Sequence, residues 1–316
     1  MNQADHHLSI VIPTYNRSEF LDHCLQVHIP LAKAYNIQIF VFDNASSDAT
    51  AEVVKKRIEE YPLIQYHCTE TNIGPDKNFE RALKYPKTDY VWLLGDTYQI
   101  SSDLLSYFYD LITVQNKEYD AIVFNVLGRV CDVPHQDYSD QNKLLSDLGW
   151  HMTCLASLVY NSKVIAKADF ERYRNTNFIQ IGVIFEYIAS KDFLIHWVDT
   201  LSVQPISIKG LEKVSWQNQT FEIWVERWAN FVFSLPPSYE LHAKLKCVKD
   251  HGVKSALFSL KGLLILRKFN VLNYKTYKKS SHLFSFSINY PKAAIYLISL
   301  LPKFISRKLI KLKFIS

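Results

Sequence analysis

The sequence predicts an α/β fold, a mostly parallel sheet flanked by helices, on three observations. Short apolar runs recur at residues 8–12, 37–42, 64–68, 90–96 and 120–125. Between them lie stretches with helical spacing of apolar side chains, and this alternation marks βαβ units. The composition, 48% hydrophobic against 21% charged over 316 residues, excludes a disordered chain and supplies core for one large domain with appendages, or for two domains.

Residues 8–12 form the first strand, which Pro13 stops, and Ser18 caps a helix carrying Phe20, Leu21 and Leu25. Residues 37–42 form a second strand that ends in Asp43. Residues 44–48 (NASSD) then supply turn and cap chemistry for a helix with Val53, Val54 and Ile58 inward. Residues 64–68 are a third strand and 72–75 (NIGP) a turn. Asp76 caps a helix through Phe79, Ala82 and Leu83. Residues 90–96 are an apolar strand ending on Gly95 and Asp96. Asp103 opens a helix through Phe108 and Ile112, ahead of a strand at 120–125. The polar residues 130–148 read as loop, and 150–160 as an apolar stretch with His151 set into it. Helices follow at 178–188 and 221–233, and Pro236-Pro237 precedes a mostly helical tail.

Several classes are excluded. With only 8 glycines, a glycine-rich phosphate loop is not the central device. The five cysteines are widely spaced, odd in number and without a C-x-x-C pair, so they read as small core residues in a reducing compartment. The polar N-terminus runs straight into a strand without a signal peptide, and no apolar stretch reaches the roughly 18 residues that span a bilayer. All 31 carboxylates lie at or before Asp250, whereas 13 of the 36 cations follow it: an acidic body with a basic tail. No nucleic-acid-binding motif accompanies that charge.

Open parallel sheets bind ligands beyond the carboxyl ends of their strands. Three such ends carry chemistry here. Asp43 and Asp96 each close a strand, and Pro13-Thr14-Tyr15-Asn16-Arg17 follows the first one. An aromatic ring beside a carboxylate suits a nucleotide base, and Arg17 suits a phosphate. Asn72, Gly74 and Asn78 stand at the next strand end. Singly, each is an ordinary turn or cap residue; together they outline a nucleotide pocket.

The blocks LSIVIPTYNR, VFDNASSDAT, TNIGPDKNFERAL and YVWLLGD, within residues 8–105, resemble the nucleotide-sugar half of the inverting family-2 glycosyltransferases with the GT-A (Rossmann-like) fold. The resemblance implies that Pro13, Thr14 and Tyr15 line the base and ribose pocket and that Asp43 bonds the base, most often uracil. It also implies that Asn72, Gly74 and Asn78 flank the ribose and diphosphate, and that Asp96 is the first carboxylate of a metal motif. Here the pattern departs, because Thr97 and Tyr98 follow in place of further carboxylates. Three alternatives stay open: weak Mg2+ or Mn2+ binding through Asp96, metal-free catalysis with Arg17 or a lysine offsetting the diphosphate, or a non-catalytic homologue. The family's base is usually a carboxylate at the start of a helix in the second half. The corresponding helix begins Asn177-Phe178-Ile179-Gln180, without one, so Glu186 two turns on is the candidate, with Asp169, Glu171 and Asp192 behind it. As a structural residue Glu186 would be a solvated helix position. His151 is a candidate to touch donor or acceptor, against the plainer reading of a hydrogen-bonded structural histidine. Trp150, Trp216, Trp224 and Trp228 offer ring faces to a sugar or, at helical spacing, core.

The expected organisation is a nucleotide-sugar-binding half at 1–125, an acceptor-binding half at 126–235 and a basic helical region at 236–316. Residues 291–316 are too short and too charged to span a membrane. They fit an amphipathic segment lying on an anionic membrane surface, or else a core-packing or dimer helix. The expectation is a cytoplasmic enzyme at the inner face of the cell membrane. It would pass a hexose from a nucleotide-sugar donor, a UDP-hexose, to a glycan or lipid-linked glycan acceptor in bacterial surface polysaccharide synthesis. The rival is a non-catalytic glycan- or nucleotide-binding homologue that scaffolds such a pathway; a nucleotidyltransferase would want a glycine- and basic-rich loop that residues 13–17 do not provide.

Overall fold

The computed structural model describes residues 7–115, 117–210 and 217–310. They fall into two units, Met1–Gln141 with His151–Leu211, and Asn142–Trp150 with Glu212–Ser316. The first unit begins β1 (Leu8–Thr14), α1 (Ser18–Tyr35), β2 (Gln38–Asp43), α2 (Thr50–Glu60), β3 (Ile64–Cys68), α3 (Pro75–Lys84) and β4 (Tyr90–Leu93). The chain continues through β5 (Tyr98–Gln99), α4 (Ser102–Tyr109), β6 (Ala121–Val126), β7 (Gln136–Tyr138) and α5 (Gln141–Leu148), most of which belongs to the second unit. Then come β8 (Leu158–Asn161), α6 (Ser162–Ala166), α7 (Phe170–Tyr173), α8 (Ile179–Ile188) and β9 (Ile195–Pro205).

The strands form one sheet in the order β3-β2-β1-β4-β8-β6-β9-β5, with β7 also on β9. β1 runs parallel to β2 and β4, and β2 to β3. β8 is antiparallel to both β4 and β6, so β6 runs with β4, and β9 is parallel to β6. The carboxyl ends of β1, β2, β3, β4 and β6 therefore open on one edge. Trp92 at the centre is fully buried, stacks on Phe124 with centroids 4.9 Å apart, and donates its indole N–H to the Ala156 carbonyl at 2.8 Å. Truncating a buried ring of this kind to Ala typically costs about 3–5 kcal/mol.

Several local expectations are corrected. β1 does not stop at Pro13; it continues to Thr14, with Pro13 opposite Phe42. The Val11 carbonyl accepts from Leu94 N–H on the β4 side, and alternation puts the Pro13 nitrogen on that side, where the ladder has already ended. Ser18 does not cap α1. Its own N–H is capped by Asp48 Oδ2 at 2.9 Å, while Asp48 Oδ1 accepts from Thr50 at the start of α2, so one carboxylate holds two helix ends. Asp76 lies inside α3, whose cap is Gly74 (φ 84°) followed by Pro75. Finally, β7, α5 and the long β9 occupy stretches that carried no such signal, and α4 is capped by Ser101 rather than opened by Asp103.

The second unit continues with α9 (Trp228–Ser234), α10 (Leu241–Lys254), α11 (Leu260–Lys268), α12 (Tyr274–Ser280), α13 (Phe284–Ser287), α14 (Lys292–Leu300) and α15 (Lys303–Leu309). A core including Phe221, Val225, Phe258, Leu263, Leu272, Phe284 and Ile295 holds it together. No helix among the described residues is long and apolar enough to cross a membrane.

Candidate functional site

The β2 end is built from neutral donors. Asp43 is 1% exposed, and its carboxylate accepts from Ser46 N–H at 2.9 Å, Ser46 Oγ at 2.5 Å and Tyr66 Oη at 2.6 Å. Burial and the bond to Asp43 push the Tyr66 hydroxyl well above its usual range. The turn that aims Ser46 back needs a left-handed residue, Ala45 at φ 63°. Beside it, Asn44 donates to Asn72 Oδ1 at 3.0 Å and accepts from Ile73 N–H at 2.9 Å, and Asn72 Oδ1 also takes Gly74 N–H at 2.9 Å. Asn72 and Gly74 are thus pinned to the β2 end. Asn78 is there too, but its amide donates to the Phe42 carbonyl at 2.8 Å, so it braces α3 against β2.

The β4 end is built differently. Asp96 is 4% exposed; Thr14 Oγ1 donates to its Oδ2 at 2.9 Å and Arg17 Nη1 to its Oδ1 at 3.2 Å. Burial raises the Asp96 carboxyl above the usual range, opposed by the Arg17 charge and by the Thr14 hydrogen bond. Pro13 is buried within β1, whereas Tyr15, just past the end of that strand, is 45% exposed. The neighbouring Asn16 (φ 51°) is locked by Ser46 Oγ, which accepts its N–H at 2.8 Å, and by Ser47 N–H, which it accepts at 2.7 Å. Thr14, Tyr15, Arg17, Asp43, Asn72, Gly74 and Asp96 therefore converge on the carboxyl edge of β1, β2 and β4.

The donor set offers a divalent cation little by itself. Among the described residues no group of three or more His, Cys, Asp or Glu could hold one. An ionised carboxylate has about four acceptor sites, so Asp96 with two donors on it retains capacity for one metal bond. Such a site fits Mg2+ or Mn2+ only when shared with ligand phosphates, as Mg2+ sites commonly are.

The two catalytic candidates of the second half are placed elsewhere. His151 is buried between Arg129 Nε, which donates to its Nδ1 at 2.9 Å, and the Phe124 carbonyl, 2.9 Å from its Nε2. Since Arg129 can only donate, the proton sits on Nε2, and burial together with the Arg129 charge holds the ring well below its usual pKa. These contacts fit the plainer reading of a hydrogen-bonded, neutral histidine. Glu186 is a tie between helices: Arg172 Nη1 donates to it at 3.0 Å and Tyr173 Oη at 2.6 Å. Gly182 makes room for this, because a Cβ there would lie 2.4 Å from the Tyr173 ring. The start of α8 is instead anchored to α3, with Asn177 N–H donating to Asp76 Oδ2 at 3.0 Å. Asp169 caps α7. Trp150 and Trp228 are buried and Trp224 stacks on His251 at 4.1 Å, which favours core; Trp216 lies outside the described residues. Sequence reasoning missed Ser46, Tyr66 and Asn44, although the polar run after Asp43 and a tyrosine on the paired strand were its signals.

The deciding comparison follows from this edge. Residues 9–182 match the family described as glycosyl transferase family 2. The chain belongs to glycosyl transferase family 2. Within it, the chain is similar to the abequosyltransferase RfbV of Salmonella typhimurium, 26% identical over 217 residues that cover 60% of this chain and 64% of that protein. It is also similar to the GalNAc(5)-diNAcBac-PP-undecaprenol beta-1,3-glucosyltransferase of Campylobacter jejuni, 28% identical over 121 residues, 38% of each chain. The matched stretches thus span less than two thirds of these relatives. Among solved structures, S. aureus TarS 1-349 in complex with UDP-GlcNAc aligns over 96% of this chain and 88% of its own, at 16% identity and a TM-score of 0.57. The mannosyltransferase PcManGT of Pyrobaculum calidifontis, in complex with GDP-Man and Mn2+, aligns over 93% and 87% at 14% identity and a TM-score of 0.55. The family-2 chain has the GT-A fold with a helical C-terminal region.

Proposed function

We propose that the protein transfers a hexose from a nucleotide-sugar donor, a UDP-hexose, to a glycan acceptor with inversion, and that the acceptor is lipid-linked, in bacterial capsule or lipopolysaccharide synthesis at the inner face of the membrane. The observation that carries this reading is the convergence of Asp43, Asp96, Thr14 and Arg17 on one sheet edge. In it, residues 1–125 hold the donor, 126–235 the acceptor, and 236–316 meet the membrane. Asp43, fixed by three neutral donors, accepts an N–H of the base, and Tyr15 offers its ring. The acceptor hydroxyl attacks the anomeric carbon opposite the leaving group, the bond to the diphosphate breaks, and the hydroxyl proton passes to a base other than His151 or Glu186. Arg17 offsets charge on the departing diphosphate. A Mg2+ or Mn2+ ion arriving with the donor would be held by Asp96 and would supplement that charge.

The test is a thermal-shift panel of UDP, GDP, CDP and TDP, each with Mn2+ and with EDTA. A ligand at about a hundred times its dissociation constant stabilises by roughly 2.7 kcal/mol. UDP is expected to raise the melting temperature, more with Mn2+ but still with EDTA, because Arg17 remains. Response to no nucleotide would leave the scaffolding homologue as the better reading.

Support for the membrane part comes from the last helices. α14 buries Ile295 and Ile298 in the core but exposes Tyr296, Leu297 (63%) and Leu300; α15 adds Phe304 (61%) beside exposed Lys303, Arg307 and Lys308. Lys311 and Lys313 lie outside the described residues. Deleting 291–316 would remove core, so the cleaner variant is Leu297→Glu with Leu300→Glu. It is expected to lose sedimentation with phosphatidylglycerol vesicles; unchanged sedimentation would remove the membrane part.

A further inference from the structure

The edge that carries Asp43 and Asp96 extends to β6, and there it carries an open cavity of about 450 Å3. One wall is the loop after β6 and the other is Asp199 and Thr200 of β9. The cavity exists because the ladder breaks: Phe124 pairs with Val198 but Asn125 with Ser202, so residues 199–201 arch out. Bulges of this kind re-aim side chains beside functional sites. Asn125 braces both walls, its amide donating to the carbonyls of Val130 at 2.9 Å and Asp199 at 3.1 Å. Leu127 (φ 56°) and Gly128 (φ 63°) turn the loop back, and Gly128 N–H is fixed by Ser202 Oγ at 3.0 Å. Asp199 Oδ1 is buried and has no hydrogen-bond partner among the described residues, a condition unfavourable enough that a donor brought by a ligand is a gain.

The chemistry of the walls narrows the ligand. Asp132, Asp199 and Thr200 are polar, Val130, Val133 and Pro134 apolar, and among the described residues no lysine, arginine or histidine lines the space. A phosphate or carboxylate would meet the like charge of Asp199. A bare cation needs a ligand cluster that is absent among the described residues, and the volume lies in the small-molecule range of roughly 300–1,000 Å3. A sugar ring satisfies both kinds of wall, its hydroxyls donating to carboxylates and its C–H face packing on Val and Pro. β6 lies two strands from β4, about 10 Å at ~4.8 Å per strand. That is too far for the hydroxyl that attacks and suited to a unit further along the acceptor.

We propose that this cavity is a saccharide subsite, holding a sugar unit of the acceptor through Asp199. The word acceptor rests on the transferase reading; the saccharide chemistry does not. Two exposed thiols allow a test of each. Cys131 lines the cavity, and Cys68 lies 3.6 Å from Asp43. Alkylation of both by N-ethylmaleimide, followed by peptide mass spectrometry, is measured with UDP and with methyl glycosides of glucose, galactose, mannose, rhamnose and N-acetylglucosamine. At least one glycoside is expected to slow Cys131 several-fold and leave Cys68 unchanged, and UDP to do the reverse. Asp199→Asn, and independently Thr200→Arg at an exposed position, are expected to abolish the glycoside effect while UDP still protects Cys68. No protection of Cys131 by any of these glycosides overturns the subsite, as does protection that persists in both variants. Protection of Cys131 without any effect of UDP on Cys68 sustains the subsite and overturns the transferase reading.

Discussion

Two buried carboxylates flank the end of β1, and they are held in opposite ways. Asp43 is surrounded by hydroxyl and amide donors, Asp96 by a guanidinium and one hydroxyl. Neutral donors orient a carboxylate and leave its negative charge for the ligand to meet. A paired arginine cancels the charge and places a cation at the site instead. One aspartate is therefore suited to reading a base and the other to managing a diphosphate, although both are simply the polar residue at a strand end in the sequence.

The comparison can be broken most sharply at Asp96. Asp96→Ala is expected to lower product formation by about 10²-fold or more, an effect of the size seen when a charge-managing group is lost, measured by nucleotide release. Turnover like the wild type would sink the assignment. The next effect is one of stability on the same side of β1. His28 on α1 is fully buried, with Nδ1 2.6 Å from the Cys24 carbonyl and Nε2 accepting Ile100 N–H at 3.0 Å. Burial lowers its pKa from 6.5 to about 4. The unfolded chain therefore binds the proton first, and the stability from neutral His28 is present above pH 6.5 and lost as pH falls toward 4. The loss is on the order of 3 kcal/mol. Urea melts at pH 7 and 4.5 are expected to show it, with a flatter dependence in His28→Gln; an unchanged slope in that variant would assign the acid sensitivity elsewhere.

At Asp43 the effect moves from turnover to affinity. Asp43→Asn keeps the shape but loses the charge, and a hydrogen bond to a charged group is worth about 1.5–3 kcal/mol. UDP affinity by calorimetry is expected to fall roughly 10- to 100-fold while turnover at saturating donor changes little. If Asp43→Asn lowered turnover and left affinity intact, the two roles would have to be exchanged.

The contrast between the two ends also marks what a sequence can carry. The strands β1 to β4 were legible because each is a continuous apolar run stopped by turn residues, and their terminal aspartates came with them. The pairing of Arg17 with Asp96 was not, because it depends on the β1–β4 register, which residues 79 positions apart do not announce. β9 was invisible for a related reason. Past its bulge it pairs with β6 again at Ser202 and Val203 and then with β5 at Gln204 and Pro205, and Ser202 and Gln204 break any apolar pattern. The contacts of Glu186 were not legible, because helical position does not reveal a neighbour; the gap over Gly182, filled by Tyr173, shows what that carboxylate touches.

The smallest effect sharpens the Asp96 side. The Thr14 hydroxyl favours the ionised form of Asp96, while burial favours the protonated one. Thr14→Val removes the favourable contact, so the Asp96 pKa must rise further. The lost bond is one to a charged group, so its removal favours the protonated carboxyl. Because the Arg17 pair needs ionised Asp96, the acid limb of the activity profile is expected to move to higher pH, with the plateau retained. Thr14→Ser keeps the hydroxyl and is expected to leave the limb in place. A limb that stays put in Thr14→Val would mean that some group other than Asp96 sets it, and the Arg17 pair would then be a feature of the fold alone.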